Sequence, residues 1–117
     1  LLSPERSSIA LGARLLEQLL RLRPDADAVF FNNDDLAQGG LLAAQRLGVS
    51  VPAQLAVAGF NDLAGSDQML PALTTVRTPR SQVGAEGARM LLQLVRGESP
   101  PRHCVRLGYE VIVRSST

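Results

Sequence analysis

Apolar residues along the chain fall into stretches whose spacing alternates between helical and extended. In the first stretch Ile9, Leu16, Leu19 and Leu20 share one stripe, with Leu15 beside it. Ser3 can cap this helix, Pro4 suits its first position and Glu5 complements the positive end of its dipole. Arg21 and Arg23 sit where cations are favoured, and Pro24 ends the helix. After a turn at Asp25, Ala26 and Asp27, the run Ala28-Val29-Phe30-Phe31 predicts a strand buried on both faces. A second helix begins at Asn33 or Asp34, either of which can cap it. Its inner stripe is Leu36, Gly40, Ala43 and Leu47, and Gly48 is its left-handed stop. The next strand is Leu55 to Gly59. Helix, strand, helix, strand with short polar turns is the pattern of a parallel α/β sheet.

The following stretch, Asn61 to Ala72, has no regular period. Thr74-Thr75-Val76 predicts a short strand. A third helix is capped by Thr78, starts at Pro79, carries Val83, Gly87, Met90, Leu91 and Leu94 on its buried face, and ends at Gly97. Glu98-Ser99-Pro100-Pro101 is a loop. Two short strands, Val105 to Leu107 and Glu110 to Val113, flank Gly108-Tyr109, and the tail is polar. The chain contains no internal repeat and no low-complexity stretch.

At 117 residues the chain is one domain or part of one. With three Phe, one Tyr and no Trp, its core must rest on Leu, Val and Ala. The formal charge of +1 and the scatter of the twelve basic residues leave no phosphate-tracking stripe. No apolar stretch is long enough to span a membrane. No basic region leads into an apolar one at the N-terminus, and there is no initiator Met; the expectation is a segment of a longer or processed protein without a secretion signal. The single Cys104 cannot form an internal disulfide, which fits a reducing, cytoplasmic setting.

Two apolar runs end in small polar side chains: Asn32-Asn33-Asp34-Asp35 after the first strand, and Asn61-Asp62 after Gly59-Phe60. In a parallel α/β sheet ligands sit beyond the carboxyl ends of the strands. Asn and Asp can each meet two neighbouring hydroxyls of a sugar. The same residues also cap helices and form turns, and Asp34 and Asp35 fit a cap and first turn better than a ligand contact. Catalysis finds no comparable support. His103 and Cys104 are neighbours in a predicted strand, so they point to opposite faces and make a poor base–nucleophile pair. One His and one Cys do not make a zinc set, and nothing selects a hard cation at Asp34, Asp35 and Asp62 over capping. Gly39-Gly40 lies within a helix and is no phosphate loop. No cofactor, metal or enzymatic activity is expected. Leu63, Met69 and Leu70 fall in the irregular segment, either packed on their own sheet or at a subunit interface.

Three stretches together resemble the C-terminal part of the LacI/GalR family of transcriptional repressors. They are Phe31-Asn32-Asn33-Asp34-Asp35-Leu36-Ala37 with Gly39; Val51-Pro52 through Val57-Ala58-Gly59-Phe60-Asn61-Asp62; and Pro71-Ala72-Leu73-Thr74-Thr75-Val76-Arg77 running on to Gly84 and the helix Glu86 to Leu94. The ending Val113-Arg114-Ser115-Ser116-Thr117 also matches, and the Asn-Asn-Asp-Asp and Gly-Phe-Asn-Asp forms are most similar to the gluconate-utilisation repressors. The resemblance implies one incomplete lobe of a periplasmic-binding-protein-like α/β fold. The effector, a sugar or sugar acid, would bind between two lobes of a homodimer that meets operator DNA through an N-terminal helix-turn-helix. By position it implies Asn33, Asn61, Asp62, Ser7 and Arg6 as effector-site residues. It implies Leu36, Gly40, Leu63, Met69 and Leu70 at the dimer interface. An amide at Asn61, where many members carry aspartate, repels an anionic sugar less, and the small Ser7 disfavours a stacked aromatic ligand. Helix-turn-helix, hinge helix and the early strands of the N-terminal lobe have no counterpart in these residues. Residues 1–117 therefore read as an effector-sensing and dimerising piece, whose helix 79–97 would return to the other lobe. That helix is expected to be repositioned, exchanged with a second chain or buried in an oligomer contact. The rival readings are one lobe of a periplasmic sugar-binding protein serving transport, and a small α/β enzyme, for which no acid–base pair is found.

Overall fold

The computed structural model describes residues 1–98 and 104–117. The elements run α1 (Ile9–Leu22), β1 (Ala28–Phe30), α2 (Asp34–Leu47), β2 (Ala56–Phe60), β3 (Thr74–Arg77), α3 (Arg80–Val95) and β4 (Glu110–Ile112). The chain forms two compact units. One comprises residues 1–77 and 111–117, the other residues 78–110.

The first unit is the α/β body. Its strands follow the order β1-β2-β3-β4, and both β1–β2 and β2–β3 are parallel, with Val29 beside Val57 and Gly59 beside Thr75. The core is aliphatic: Leu11, Leu16, Leu36, Leu41, Leu55, Val57 and Leu73 are buried, with Phe31 the one aromatic among them. The two helices pack against each other backbone to backbone, because the contact is made by glycine. A Cβ on Gly12 would collide with the Leu36 carbonyl, and one on Gly39 with the Ile9 carbonyl. Gly40 gives way to the Phe31 ring, which would lie 2.7 Å from a Cβ there.

Several expected boundaries and faces are corrected. Helix α1 begins at Ile9, not at Pro4. Its cap is Ser8, whose hydroxyl accepts from the Leu11 amide at 3.1 Å, while Ser3 instead accepts from Glu5 outside the helix. Leu11, Gly12, Ala13 and Leu16 face inward, and Ile9, expected on the buried stripe, is exposed. Strand β1 is not covered on both faces: it is the outermost strand, and Phe30 is 61% exposed. Asn33 is the cap of α2 and Gly48, at φ 70°, its stop; Leu47, the last of the expected stripe, is exposed. No strand forms over residues 105–107; His103 and the Ser99-Pro100-Pro101 loop lie outside the described residues.

In the second unit the cap of α3 is Pro79, which offers no side-chain bond, rather than the expected Thr78. No residue of α3 is buried; Val83, Leu91, Leu92, Leu94 and Val95 are all exposed. The expected apolar face exists as a stripe in sequence but is not buried among the described residues.

Candidate functional site

The site is built where β1 and β2 run out. The last register pair of the two strands is Phe30 with Ala58, and Asn33 and Asn61 each lie three residues beyond it. Both amides therefore sit at one end of the sheet, past neighbouring parallel strands, and both are half-buried. Asn33 adopts an extended backbone and its Oδ1 accepts from the Leu36 amide at 3.0 Å, so its carbonyl is occupied by the cap and its Nδ2 hydrogens remain as donors.

Asp34, the first residue of α2, is completely buried. It lies at the positive end of the helix dipole. Its Oδ2 accepts from the Leu63 amide at 2.7 Å and the Ser66 hydroxyl at 2.9 Å, and its Oδ1 accepts from the Thr75 hydroxyl at 2.7 Å. One turn later Gln38 donates to the Ala64 carbonyl at 3.1 Å and the Ser66 hydroxyl at 3.3 Å. The start of α2 thereby fixes the whole segment 63–66 against β3. Gly59 belongs to the same arrangement, since a Cβ there would occupy the place of Asp34 Oδ1.

The tip of β2 is held in an unusual backbone shape. Asn61 has φ 103° and Asp62 φ 50°, both in the region that side-chain-bearing residues seldom adopt. Such conformations persist only where the surroundings over-determine them. Here the Asn61 amide donates to the Val76 carbonyl at 2.8 Å and the Asp62 amide to Thr75 Oγ1 at 3.3 Å. The Asp62 carboxylate takes Arg77 Nε at 2.7 Å on Oδ2 and Arg114 Nη2 at 2.8 Å on Oδ1. Arg114 also donates through Nη1 to the Leu73 carbonyl at 2.7 Å, and its own amide donates to Thr74 Oγ1 at 2.8 Å. Burial pushes the Asp62 carboxyl up, but the Arg114 and Arg77 guanidiniums together outweigh burial and hold it below the usual carboxylate range.

The remaining expected positions are spread more widely. Ser7 lines an open hollow of about 410 Å³ together with Leu11, Leu15, Phe31, Asn32 and Leu36; neither Asn33 nor Asn61 lines it. Arg6 is exposed on the segment before α1. Leu36 and Gly40, expected at a dimer interface, are buried within the unit itself. Met69 packs against the core, Leu63 is half-buried and Leu70 is 84% exposed. Among the described residues no three His, Cys, Asp or Glu side chains gather as a metal site, and no helix is long and apolar enough to cross a membrane. Cys104 is exposed.

Sequence reasoning missed four participants. Thr75 and Ser66 were invisible because their partner, Asp34, is 41 and 32 residues away. Arg77 and Arg114 are separated by 37 positions and meet only on Asp62. The one local signal was a charged residue directly after each β-rich run, Thr74-Thr75-Val76 and Glu110 to Val113.

Residues 2–117 match the periplasmic binding protein-like domain family. The HTH-type transcriptional regulator GntR of Pseudomonas aeruginosa is 50% identical over 117 residues, all of this chain and 34% of that protein. The crystal structure of the transcription regulator GntR from Chromobacterium violaceum superposes with a TM-score of 0.91 at 47% identity, covering 99% of this chain and 43% of that one. A complex of the transcriptional regulator CelR with cellobiose superposes with a TM-score of 0.87 at 30% identity, covering 94% of this chain and 34% of that one. The chain thus spans about a third of the length of the curated relative it matches.

Proposed function

The chain belongs to the periplasmic binding protein-like domain family and is the C-terminal part of a LacI-type transcriptional regulator, and from that premise we propose that it senses a sugar or sugar acid at the carboxyl ends of β1 and β2. The observation that carries this reading is the matched level of Asn33 and Asn61 beyond two adjacent parallel strands. Amides at that spacing offer paired donors and acceptors to neighbouring hydroxyls, and a mispaired hydroxyl there costs about 1–3 kcal/mol, which gives selectivity. That the CelR relative holds cellobiose agrees with a hydroxyl-rich ligand.

Within that class, gluconate is the proposed effector. An amide rather than a carboxylate stands at position 61, and the neighbouring Asp62 charge is compensated by two guanidiniums. Both reduce the repulsion an anionic sugar would meet. Ser7 and Arg6 complete the proposed contacts. In the intact regulator the effector binds between this lobe and a preceding one, changes their relative pose and so alters operator binding by the N-terminal heads of a cytoplasmic homodimer. Leu70 is the exposed apolar residue offered for the dimer contact, with Leu63 and Met69 beside it in sequence. The relatives are regulators rather than enzymes or transport proteins, so the transport alternative gains nothing from them.

The test is a calorimetric titration of the intact regulator with gluconate, glucose and galactose. Heat with gluconate, weakened at least tenfold in Asn61→Ala, is expected. Absence of heat with gluconate removes that effector, and absence with all three sugars removes the site.

A further inference from the structure

The two arginines on Asp62 occupy special places in the chain. Arg77 is the last residue before the chain leaves the first unit at Thr78, and Arg114 lies just after it re-enters at Val111. One carboxylate therefore ties together the segment that departs and the segment that returns. That carboxylate is also the immediate neighbour of Asn61, and both residues share the left-handed backbone at the tip of β2.

We propose that Asp62 is a positioning residue that couples the effector amide at Asn61 to both chain crossings, so that occupancy of the site is felt at Arg77 and Arg114 through one side chain. This rests on the effector reading given above for Asn61.

Three features make the coupling stiff. The Asp62 and Arg114 side chains are only 14% and 16% exposed, so water screens their pair little. Arg114 is held from three sides: its amide donates to Thr74 Oγ1, Nη1 to the Leu73 carbonyl and Nη2 to Asp62. The loop that follows Asp62 cannot drift, because Asp34 grips the Leu63 amide and Ser66 from below. Any rotation of the 61–62 backbone must therefore move the carboxylate, and with it the two guanidiniums. The arm to Arg77 is the softer of the two, since that side chain is half exposed. On this account Asp62, which the family resemblance implied as an effector contact, serves the effector only indirectly, because both of its carboxylate oxygens are taken by Arg77 and Arg114.

The experiment uses the full-length regulator with gluconate as the probe. Affinity is read by calorimetry, and amide hydrogen exchange is followed over residues 76–79 and 110–114 with and without gluconate. Wild type is expected to show exchange at both segments slowed about tenfold by gluconate, within the range of ordinary couplings. In Asp62→Asn the affinity should stay within about threefold of wild type while the slowing at both segments disappears. Arg77→Gln, which opens no buried space, should lose the response at residues 76–79 and keep it at 110–114, and Arg77→Lys should restore it. These variants test the coupling even if Asp62→Asn fails to fold. A full exchange response in Asp62→Asn, or no change in Arg77→Gln, overturns the proposal. A loss of affinity beyond about thirtyfold in Asp62→Asn also overturns it, because Asp62 would then be a direct contact. If wild type itself binds no gluconate, glucose or galactose, the effector reading has failed and the coupling falls with it. That result is told apart because Asp62 is unaltered in it.

Discussion

Replacing Asp34 by alanine and by asparagine separates what its carboxylate does from what its shape does. The carboxylate is fully buried and accepts three hydrogen bonds, from the Leu63 amide, the Ser66 hydroxyl and the Thr75 hydroxyl. Alanine strands all three donors. Each buried donor left without an acceptor costs about 1–3 kcal/mol. The two hydroxyls can rotate toward other acceptors; the Leu63 amide cannot. Adding the lost favourable placement at the helix N-terminus, about 0.5 kcal/mol, gives a total of roughly 3–5 kcal/mol for Asp34→Ala. Asparagine keeps one oxygen for Leu63 and Ser66 and turns its amide toward Thr75 Oγ1. That hydroxyl already accepts from the Asp62 amide, so it can accept twice but loses the place for its own hydrogen. Asp34→Asn should therefore cost only about 1–2 kcal/mol. Urea unfolding of both variants, with equal slopes confirming a comparable change in exposed surface, measures the difference. The reasoning fails if Asp34→Ala lies within about 0.5 kcal/mol of wild type, or if the two variants are equally damaging.

Gly59→Ala should destabilise by about 1–3 kcal/mol in the same assay, because its Cβ would displace the Asp34 carboxylate from three hydrogen bonds at once. Ser116→Ala should cost a similar amount, about 1–3 kcal/mol: the buried Ser116 hydroxyl donates to the Val57 carbonyl at 2.6 Å and accepts from the Thr74 amide at 2.8 Å. Asn61→Ala should be less stable than Asn61→Gly by about 1–2 kcal/mol; both lose the side chain and only glycine accepts φ 103° without strain. Acid should expose the Asp62 pairs. Its folded carboxyl titrates below the unfolded value of about 4, so the stabilisation is complete above that value and is lost as pH falls through the lower, folded one. Thermal melts from pH 6 down to pH 2 should show the gap between wild type and Asp62→Asn constant at the upper end and closing toward the lower.

The architecture was legible wherever a local rule matched what the folded chain does. The α2 boundaries follow from Asn33 as cap and Gly48 as stop, and both act over a single turn. Strands β2 and β3 follow from apolar and β-branched runs that do lie inside the sheet. The misses share one cause, which is that burial depends on neighbours. Ser3-Pro4-Glu5 has the local chemistry of a helix start, yet Ser8 wins because a helix beginning at Ile9 brings Gly12 against the Leu36 backbone. Ala28 to Phe31 has the composition of a covered strand, but β1 is outermost in the sheet. The α3 stripe has helical spacing, but no residue of α3 is buried among the described residues.

The two polar strand tips share a logic that neither reading of the sequence alone could supply. Each is an amide followed at once by an acid: Asn33-Asp34 and Asn61-Asp62. From composition the four residues look equivalent, all fit for capping or for sugar. The folded chain divides them by distance of partner. The acids reach across 15 to 52 residues, Asp34 to Leu63, Ser66 and Thr75, and Asp62 to Arg77 and Arg114; Asp34 is fully buried and the Asp62 side chain is 14% exposed. The amides are half-buried at the sheet end, where Asn33 gives its oxygen to a local bond. A buried carboxylate with fixed donors cannot move without stranding them, whereas the half-buried Asn33 can exchange water for a hydroxyl on its Nδ2 at little cost. Anchoring thus falls to the acid at both tips, and the adjacent amide is the residue proposed to meet the effector. The acid at each tip is tied to fixed partners, so each amide proposed to meet the effector stands beside a side chain that cannot move without breaking those bonds.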